Sequence, residues 1–181
     1  MRITVVYPKQ GQKIYSICAE EFCRICGEIT GTRPQTVTDD TNIELLTDTK
    51  IVVIGSKAVN RYGEFCSSEP TVSVGSDGYC IFSERLRDKN VLYLWGGRGR
   101  STLYAVYRYF EKFVSCRWFW DGDIIPRQSE LPFENLFLIE DTPHQYRGTR
   151  YFAHRGLHRF QAEHWSIEDW KDLFMQYLLL T

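Results

Sequence analysis

Apolar runs in the first part of the chain alternate with amphipathic stretches, which predicts strands alternating with helices. Ile3 to Tyr7 is a β-branched, aromatic-rich run that ends at Pro8. The stretch from Ile14 to Ile29 repeats its apolar residues at helical spacing, and Gly31 and Pro34 then stop the helix. The first two predicted elements are therefore a strand and a helix.

Two further apolar runs predict buried strands. Ile51 to Gly55 is short and continuous, as is typical of a strand covered on both faces, and a helix or loop should follow it. Val91 to Trp95 runs into glycines at 96, 97 and 99, after which Leu103 to Phe113 carries apolar residues at helical spacing. The second run therefore predicts a strand, a turn and a helix.

An antiparallel pair is also predicted. Thr71–Val74 and Tyr79–Phe82 flank Gly75-Ser76-Asp77-Gly78, whose Asp-Gly pair suits a tight hairpin turn. Parallel and antiparallel signals in one chain indicate an α+β (mixed α/β) fold with one mixed β-sheet and helices packed on it.

The chain changes character between Asp121 and Pro143, where prolines punctuate short apolar pieces as in a connecting segment. We place a domain boundary near Thr142, which divides the chain into residues 1–142 and 143–181. In the second part, Arg147 to Phe152 predicts a strand, and Ser166-Ile167-Glu168-Asp169 resembles a helix capping box. The helix that follows has an apolar face in need of a partner. It must fold back on the domain, pair with another copy of the chain or promote aggregation, so self-association is one of the expected outcomes.

Composition and charge exclude several classes of protein. Hydrophobic residues make up 43% and aromatic residues 15% of the 181 residues, enough for a buried core. The formal net charge of -1 gives no overall attraction to nucleic acid or anionic membranes. Neither a secretory signal nor a membrane-length apolar run is present, so the sequence predicts a cytoplasmic protein with no membrane partner.

Six cysteines lie in apolar stretches, which predicts reduced, buried thiols. Cys23 and Cys26 have a spacing that could bind zinc or form a redox disulfide, but no second ligand pair accompanies them. Packing is the favoured interpretation, because these residues belong to one helical stripe. The stripe comprises Cys18, Phe22, Ile25, Cys26 and Ile29. No metal or other cofactor is predicted.

Candidate chemistry is sparse. The glycines at 96, 97 and 99 match neither a dinucleotide-binding nor a P-loop pattern, so a tight turn is favoured over a phosphate site. Asp121 and Asp123 have the context of turn formers, while Glu140 and Asp141 have that of solvated linker residues. The sequence shows no pair of carboxylates in a catalytic context and no recognisable Ser/His/Asp or Cys/His arrangement. No catalytic residue is therefore predicted.

Gly99 to Lys112, followed by Cys116 to Trp120 and Asp123 to Pro126, resembles the end of a known domain. That domain precedes the catalytic barrel in α-glucuronidases of glycoside hydrolase family 67, and a related one precedes the barrel in family 20 β-hexosaminidases. The similarity covers most of residues 1–142 and implies a strand at Arg117–Trp120. It implies a non-catalytic accessory domain of a carbohydrate-active enzyme, whose relatives include secreted and periplasmic proteins.

Family 20 barrels open with a proline and then an Arg-Gly pair whose arginine contacts sugar, and Pro143 and Arg147-Gly148 are similar to that pattern. Family 20 has an aspartate shortly after the glycine, whereas this chain has Thr149, Arg150 and Tyr151. The resemblance therefore supports the broader label α-glucuronidase-like over β-hexosaminidase. The resemblance implies that residues 143–181 are the first strand and helix of a (β/α)8 barrel. The acid and base would lie on later strands, so this chain alone is expected to be inactive.

The predicted substrate-binding residues are Arg147, Arg155, Trp118 and Trp120. Two alternatives stay open. One is a stand-alone carbohydrate-binding module using Trp118, Trp120 and Arg147. The other is a nucleic-acid-binding protein using the arginine-rich segment 147–159, in which basic and aromatic side chains are interleaved, although the net charge argues against a nucleic-acid partner.

Overall fold

The fold is a mixed six-stranded sheet with helices packed on it, seen in a computed structural model that describes residues 2–42, 44, 46–67, 74–119, 122–142 and 165–171. The strands are β1 (Ile3–Tyr7), β2 (Gln35–Thr38), β3 (Lys50–Ile54), β4 (Tyr79–Leu86), β5 (Lys89–Gly96) and β6 (Phe137–Glu140). The helices are α1 (Ile14–Thr30), α2 (Gly99–Val114) and a 3-10 helix (Arg61–Phe65). The predicted α+β class and mixed sheet are confirmed.

The sheet has a parallel half and an antiparallel half. Its strand order is β2-β1-β3-β5-β4-β6, and β2, β1, β3 and β5 run parallel to one another. β4 is antiparallel to both β5 and β6, with Ile81 opposite Leu94 on one side and Leu138 on the other. Among the described helices, none is long and apolar enough to cross a membrane.

Both α-helices cover one face of the sheet. The predicted stripe of α1, from Cys18 to Ile29, is buried as expected, and the Phe22 ring lies 4.9 Å from that of Phe110 on α2. Leu92 and Leu94 of β5 meet these helices from the sheet. This core joins the two helices to the central strands.

The opposite face carries a second core. Tyr93 stacks on Phe82 at 4.8 Å between ring centroids, and Val53 and Ile51 lie in the same cluster. Tyr62 of the 3-10 helix packs over it. Because β3 is buried on both faces, its sequence is continuously apolar instead of alternating.

The segment predicted to be a connector contains a strand, so that prediction was wrong for β6. Phe137–Glu140 pairs with Tyr79–Phe82 and adds an edge to the sheet. β4 also forms a hairpin with β5 around Arg87 and Asp88, a pairing that the sequence pattern left unassigned. The predicted pairing of Thr71–Val74 with Tyr79–Phe82 was wrong, because β5 and β6 occupy both hydrogen-bonding edges of that stretch of β4. Residues 71–73 themselves lie outside the described residues.

The other predicted elements have mixed outcomes. The strand implied at Arg117–Trp120 is reduced to a single bridge between Arg117 and Ile124 in the described residues, and Trp120 lies outside them. The glycine turn is tight: the Gly97 N–H donates to the Gly78 carbonyl at 2.9 Å, and a Cβ on Gly97 would lie 2.1 Å from the Gly75 oxygen.

The capping box at the second helix start is confirmed. The Ser166 N–H donates to Asp169 Oδ2 at 2.7 Å, and the Asp169 N–H donates to Ser166 Oγ at 3.2 Å. Residues 167–171 are helical, whereas the strand predicted at 147–152 and the rest of the helix lie outside the described residues.

The cysteines occupy packing positions. All six are free thiols, and all but the half-buried Cys66 are buried. Burial raises the pKa of Cys18, Cys23 and Cys80 to about 12, so these thiols are protonated at neutral pH. No group of three metal-ligating side chains occurs in the part of the chain that the structure describes.

A matched pair on α1 tests the assignment of its buried face. Ile25 is fully buried, whereas Ile17 is 37% exposed. We expect Ile25→Ala to lower the free energy of unfolding by about 2–5 kcal/mol, because the cavity left behind adds to the lost transfer energy. Ile17→Ala should cost less than about 1 kcal/mol. Urea unfolding measures both; equal losses would contradict the orientation of α1.

Candidate functional site

Charged side chains converge at one edge of the sheet, where β6 ends and the chain leaves toward residue 143. Tyr79 at the start of β4 lies between Gly96 of β5 and Glu140 of β6. The first turn of α2 and the loop before β4 reach the same place. We call the following residues the exit cluster: Asp77, Tyr79, Arg98, Arg100, Arg108, Glu140 and Asp141.

Glu140 is held by two elements. Arg108 of α2 binds both its oxygens, with Nε 3.0 Å from Oε2 and Nη2 2.8 Å from Oε1. The Tyr79 hydroxyl donates to Oε2 as well. Arg108 also pairs with Glu111 at 2.8 Å. A bidentate guanidinium is both strong and specific in geometry, so the end of β6 is fixed to α2 and β4.

Asp77 is held by two arginines at the start of α2. Arg100 Nη2 lies 2.8 and 2.9 Å from its two oxygens, and Arg98 Nε lies 3.0 Å from Oδ1. The Asp77 side chain is 7% exposed, whereas each arginine is 48% exposed. The Ser101 hydroxyl donates to the Ser76 carbonyl at 3.0 Å, which keeps the loop on the first turn of α2.

Asp141 links β6 to the loop before β4. Its Oδ2 accepts from the Gly75 N–H at 2.7 Å, and its Oδ1 accepts from the Thr142 N–H at 2.7 Å. A cavity of about 360 Å³ opens here, lined by the loop, β4 and the end of β6. The last described residues before position 143 are therefore anchored to the sheet.

The electrostatics of the exit cluster keep Asp77 and Glu140 ionised. Burial acts to raise the pKa of Asp77, but hydrogen bonds from Arg100 and Arg98 hold it below its usual value. The same balance, with Arg108 and Tyr79 as donors, lowers the pKa of Glu140. Burial and the neighbouring carboxylate raise the pKa of Tyr79. Since a glycosidase general acid needs a raised pKa, neither carboxylate has the properties of one.

The interpretation of Glu140 as a solvated linker residue was wrong, because Glu140 is half-buried and binds β4 and α2. Asp141 is exposed as expected, but it is tied to the loop before β4. A signal for this was present in the sequence. Leu136 to Ile139 is a continuous apolar run of the kind that predicts a buried strand. A carboxylate directly after such a run lies at the sheet edge and can meet residues from neighbouring elements.

Of the predicted substrate-binding residues, only Trp118 falls within the described residues. Its ring meets Tyr107 edge-on at 5.2 Å between centroids, and its buried indole N–H has no acceptor among the described residues. It packs against the helix-side core and is not part of the exit cluster. Trp120, Arg147 and Arg155 lie outside the described residues, as does the arginine-rich segment 147–159.

The sequence matches no protein-family model and no curated protein. What this chain does must therefore be argued from its own residues.

Asp77 gives a pH-dependent test of the exit cluster. Its lowered pKa in the folded state means that its contribution to stability is present above its unfolded pKa, about 3.9, and is lost as pH falls further. We expect Asp77→Asn to lower the free energy of unfolding by about 1–3 kcal/mol at pH 7. The difference from the unsubstituted chain should shrink below about pH 4.

Asp88→Asn is the matched control, because Asp88 is exposed in the β4–β5 turn and makes no ion pair with the described residues. It should stay within about 0.5 kcal/mol of the unsubstituted chain. Urea titrations at several pH values measure both variants. A loss for Asp77→Asn that persists undiminished at pH 3 would contradict an ionised Asp77.

Proposed function

We propose that residues 1–142 form a non-catalytic accessory domain of a carbohydrate-active enzyme of the α-glucuronidase-like kind. On this proposal, residues 143–181 are the opening strand and helix of a (β/α)8 catalytic barrel. The acid and base of the enzyme would be supplied by later barrel strands, so the partner of the whole enzyme is a carbohydrate.

The observation that carries the proposal is that two carboxylates of the exit cluster are paired with arginines and have lowered pKa values. Asp77 and Glu140 line the cavity at the point where a following domain would attach. Both carboxylates have lowered pKa values and are hydrogen-bonded to arginines. They stabilise the fold, and neither has the raised pKa that proton donation to a leaving sugar requires.

The residues that carry the family resemblance support the same conclusion. Gly99 to Lys112 forms most of α2, and its side chains Leu103, Val106 and Phe110 are buried in the helix-side core. Cys116 is fully buried as well. What resembles the family is therefore a packing pattern, as is expected of a scaffold domain.

The anchored end of β6 adds a mechanical argument. Arg108 fixes Glu140 to α2, and Asp141 fixes the next residue to the loop before β4. A domain that begins at Pro143 would therefore start from a rigid edge instead of a loose linker. Such a junction is what an accessory domain needs in order to hold a fixed orientation toward its neighbour.

A turnover assay tests the absence of catalysis. We expect the purified chain to hydrolyse 4-nitrophenyl glycosides and glucuronoxylan fragments no faster than the same preparation after heat denaturation. Turnover that is abolished by Glu140→Gln or Asp77→Asn would contradict the proposal. Saturable binding of single-stranded RNA that weakens steeply with salt would favour the nucleic-acid alternative instead.

Deletion of residues 143–181 tests the domain boundary. If residues 1–142 are a complete folding unit, the shortened protein should keep its near-ultraviolet circular dichroism and unfold within about 4 °C of the full chain, which corresponds to a change of about 1 kcal/mol or less. Calorimetry of both proteins measures the difference. Loss of cooperative unfolding would mean that the boundary is misplaced.

A further inference from the structure

A second cavity lies at the opposite edge of the sheet from the exit cluster. The starts of β1 and β2, the segment before β3 and the last turn of α1 line a cavity of about 290 Å³. Its polar lining includes Arg2, Thr32, Arg33, Gln35, Thr47 and Asp48. We call these six residues the amino-edge site. The volume is at the small end of the range for ligand sites, which suits a metabolite rather than a polymer.

A buried carboxylate without a cationic partner forms the floor of the site. Asp48 is 6% exposed, and its Oδ2 accepts from the Thr4 hydroxyl at 2.8 Å and from Gln35 Nε2 at 3.3 Å. The nearby Lys89 ammonium donates to the main-chain carbonyls of Leu46 and Asp48, not to the carboxylate. Within the described residues, Asp48 Oδ1 accepts no hydrogen bond. It is an acceptor available to a ligand.

Two arginines without partners lie in the lining of the same cavity. Arg2 and Arg33 are exposed, and neither forms an ion pair or a side-chain hydrogen bond with the described residues. By contrast, Arg98, Arg100 and Arg108 are all bound to carboxylates. Two guanidinium groups facing one cavity offer donors in the fork geometry that carboxylates accept.

We propose that the amino-edge site binds a small hydroxylated organic acid. Arg2 and Arg33 bind its carboxylate, while Asp48 accepts hydrogen bonds from its hydroxyl groups. The Gln35 side-chain amide donates to Thr4 Oγ1 at 2.8 Å and to Asp48 Oδ2 at 3.3 Å. These hydrogen bonds hold the Asp48 carboxylate in place. The proposal does not depend on the accessory-domain function.

Charge decides between ligand classes. The lining carries two positive charges and one negative charge, so a ligand with a net charge of -1 neutralises it. A neutral polyol would leave both arginines unpaired, and a zwitterionic amino acid would leave one positive charge uncompensated. A simple fatty acid has no hydroxyl group to donate to the Asp48 carboxylate, so it would make fewer hydrogen bonds in the site.

Titration of the full chain with three matched probes tests this. Gluconate carries a carboxylate and hydroxyls, sorbitol carries the hydroxyls alone, and hexanoate carries the carboxylate alone. Backbone amide shifts of Arg33, Gln35 and Asp48 report on binding in nuclear magnetic resonance spectra. We expect saturable shifts with gluconate, and an affinity at least about tenfold lower for sorbitol and hexanoate.

Substitution of the two arginines tests whether gluconate binds at the amino-edge site. Arg33→Gln and Arg2→Gln should each weaken gluconate binding by about tenfold or more, because each removes a charge-assisted contact. Both residues are exposed and unpaired, so these variants should fold normally. Arg61→Gln is the control, since Arg61 is an exposed arginine of the 3-10 helix outside the cavity, and its gluconate affinity should be unchanged.

Several results would overturn the proposal. One is the absence of saturable shifts with gluconate, and another is a gluconate affinity that Arg33→Gln leaves intact. Equal binding of sorbitol would exclude the role of the arginines, and equal binding of hexanoate would exclude the role of Asp48. Serine, titrated in the same way as a zwitterionic fourth probe, would assign the site to a zwitterion if it bound more tightly than gluconate.

Discussion

β5 is the strand on which both halves of the sheet depend. It pairs in parallel with β3 and, over its whole length, antiparallel with β4. Its side chains alternate, so Leu92 and Leu94 enter the helix-side core while Tyr93 and Trp95 enter the opposite one. A one-residue slip would exchange these sets and bury large rings against the helices, so packing on two faces fixes the register.

The exit cluster follows from that register. Tyr79 lies opposite Gly96 on one side and Glu140 on the other. The pairing with β5 therefore places the start of β4 and the end of β6 beside α2. Arg108 and Arg100 of α2 are then within reach of Glu140 and Asp77. These carboxylates join strands, loop and helix through hydrogen bonds and ion pairs, which stabilises this edge of the sheet.

The central elements were predictable from the sequence, and the edges were not. β1, β3, β5 and both α-helices have continuous or helically spaced apolar residues, because each is buried against neighbours. β2 reads Gln-Thr-Val-Thr and is half exposed at an edge, so its hydrophobic signal is weak. The pairing of β4 with β6 joins residues that are about sixty positions apart, and no local pattern encodes it.

Neither candidate site could be predicted from the sequence, because each depends on contacts between residues that are far apart along the chain. Glu140 finds Tyr79 across 61 positions and Arg108 across 32, while Thr4 meets Asp48 across 44. Sequence reasoning could name carboxylates and arginines but could not decide which of them would be paired. Only the fold distinguishes Arg108, which pairs with Glu140, from Arg33, which pairs with no carboxylate among the described residues.

That distinction separates the two edges of the sheet physically. At the exit cluster each buried charge has a partner of opposite sign, and the gain is stability. At the amino-edge site the Asp48 carboxylate is hydrogen-bonded only to neutral side chains, Thr4 and Gln35, among the residues that the structure describes. Proteins break the rule that charges are paired mostly at functional sites, which is why we propose a ligand site at the amino edge and not at the exit cluster.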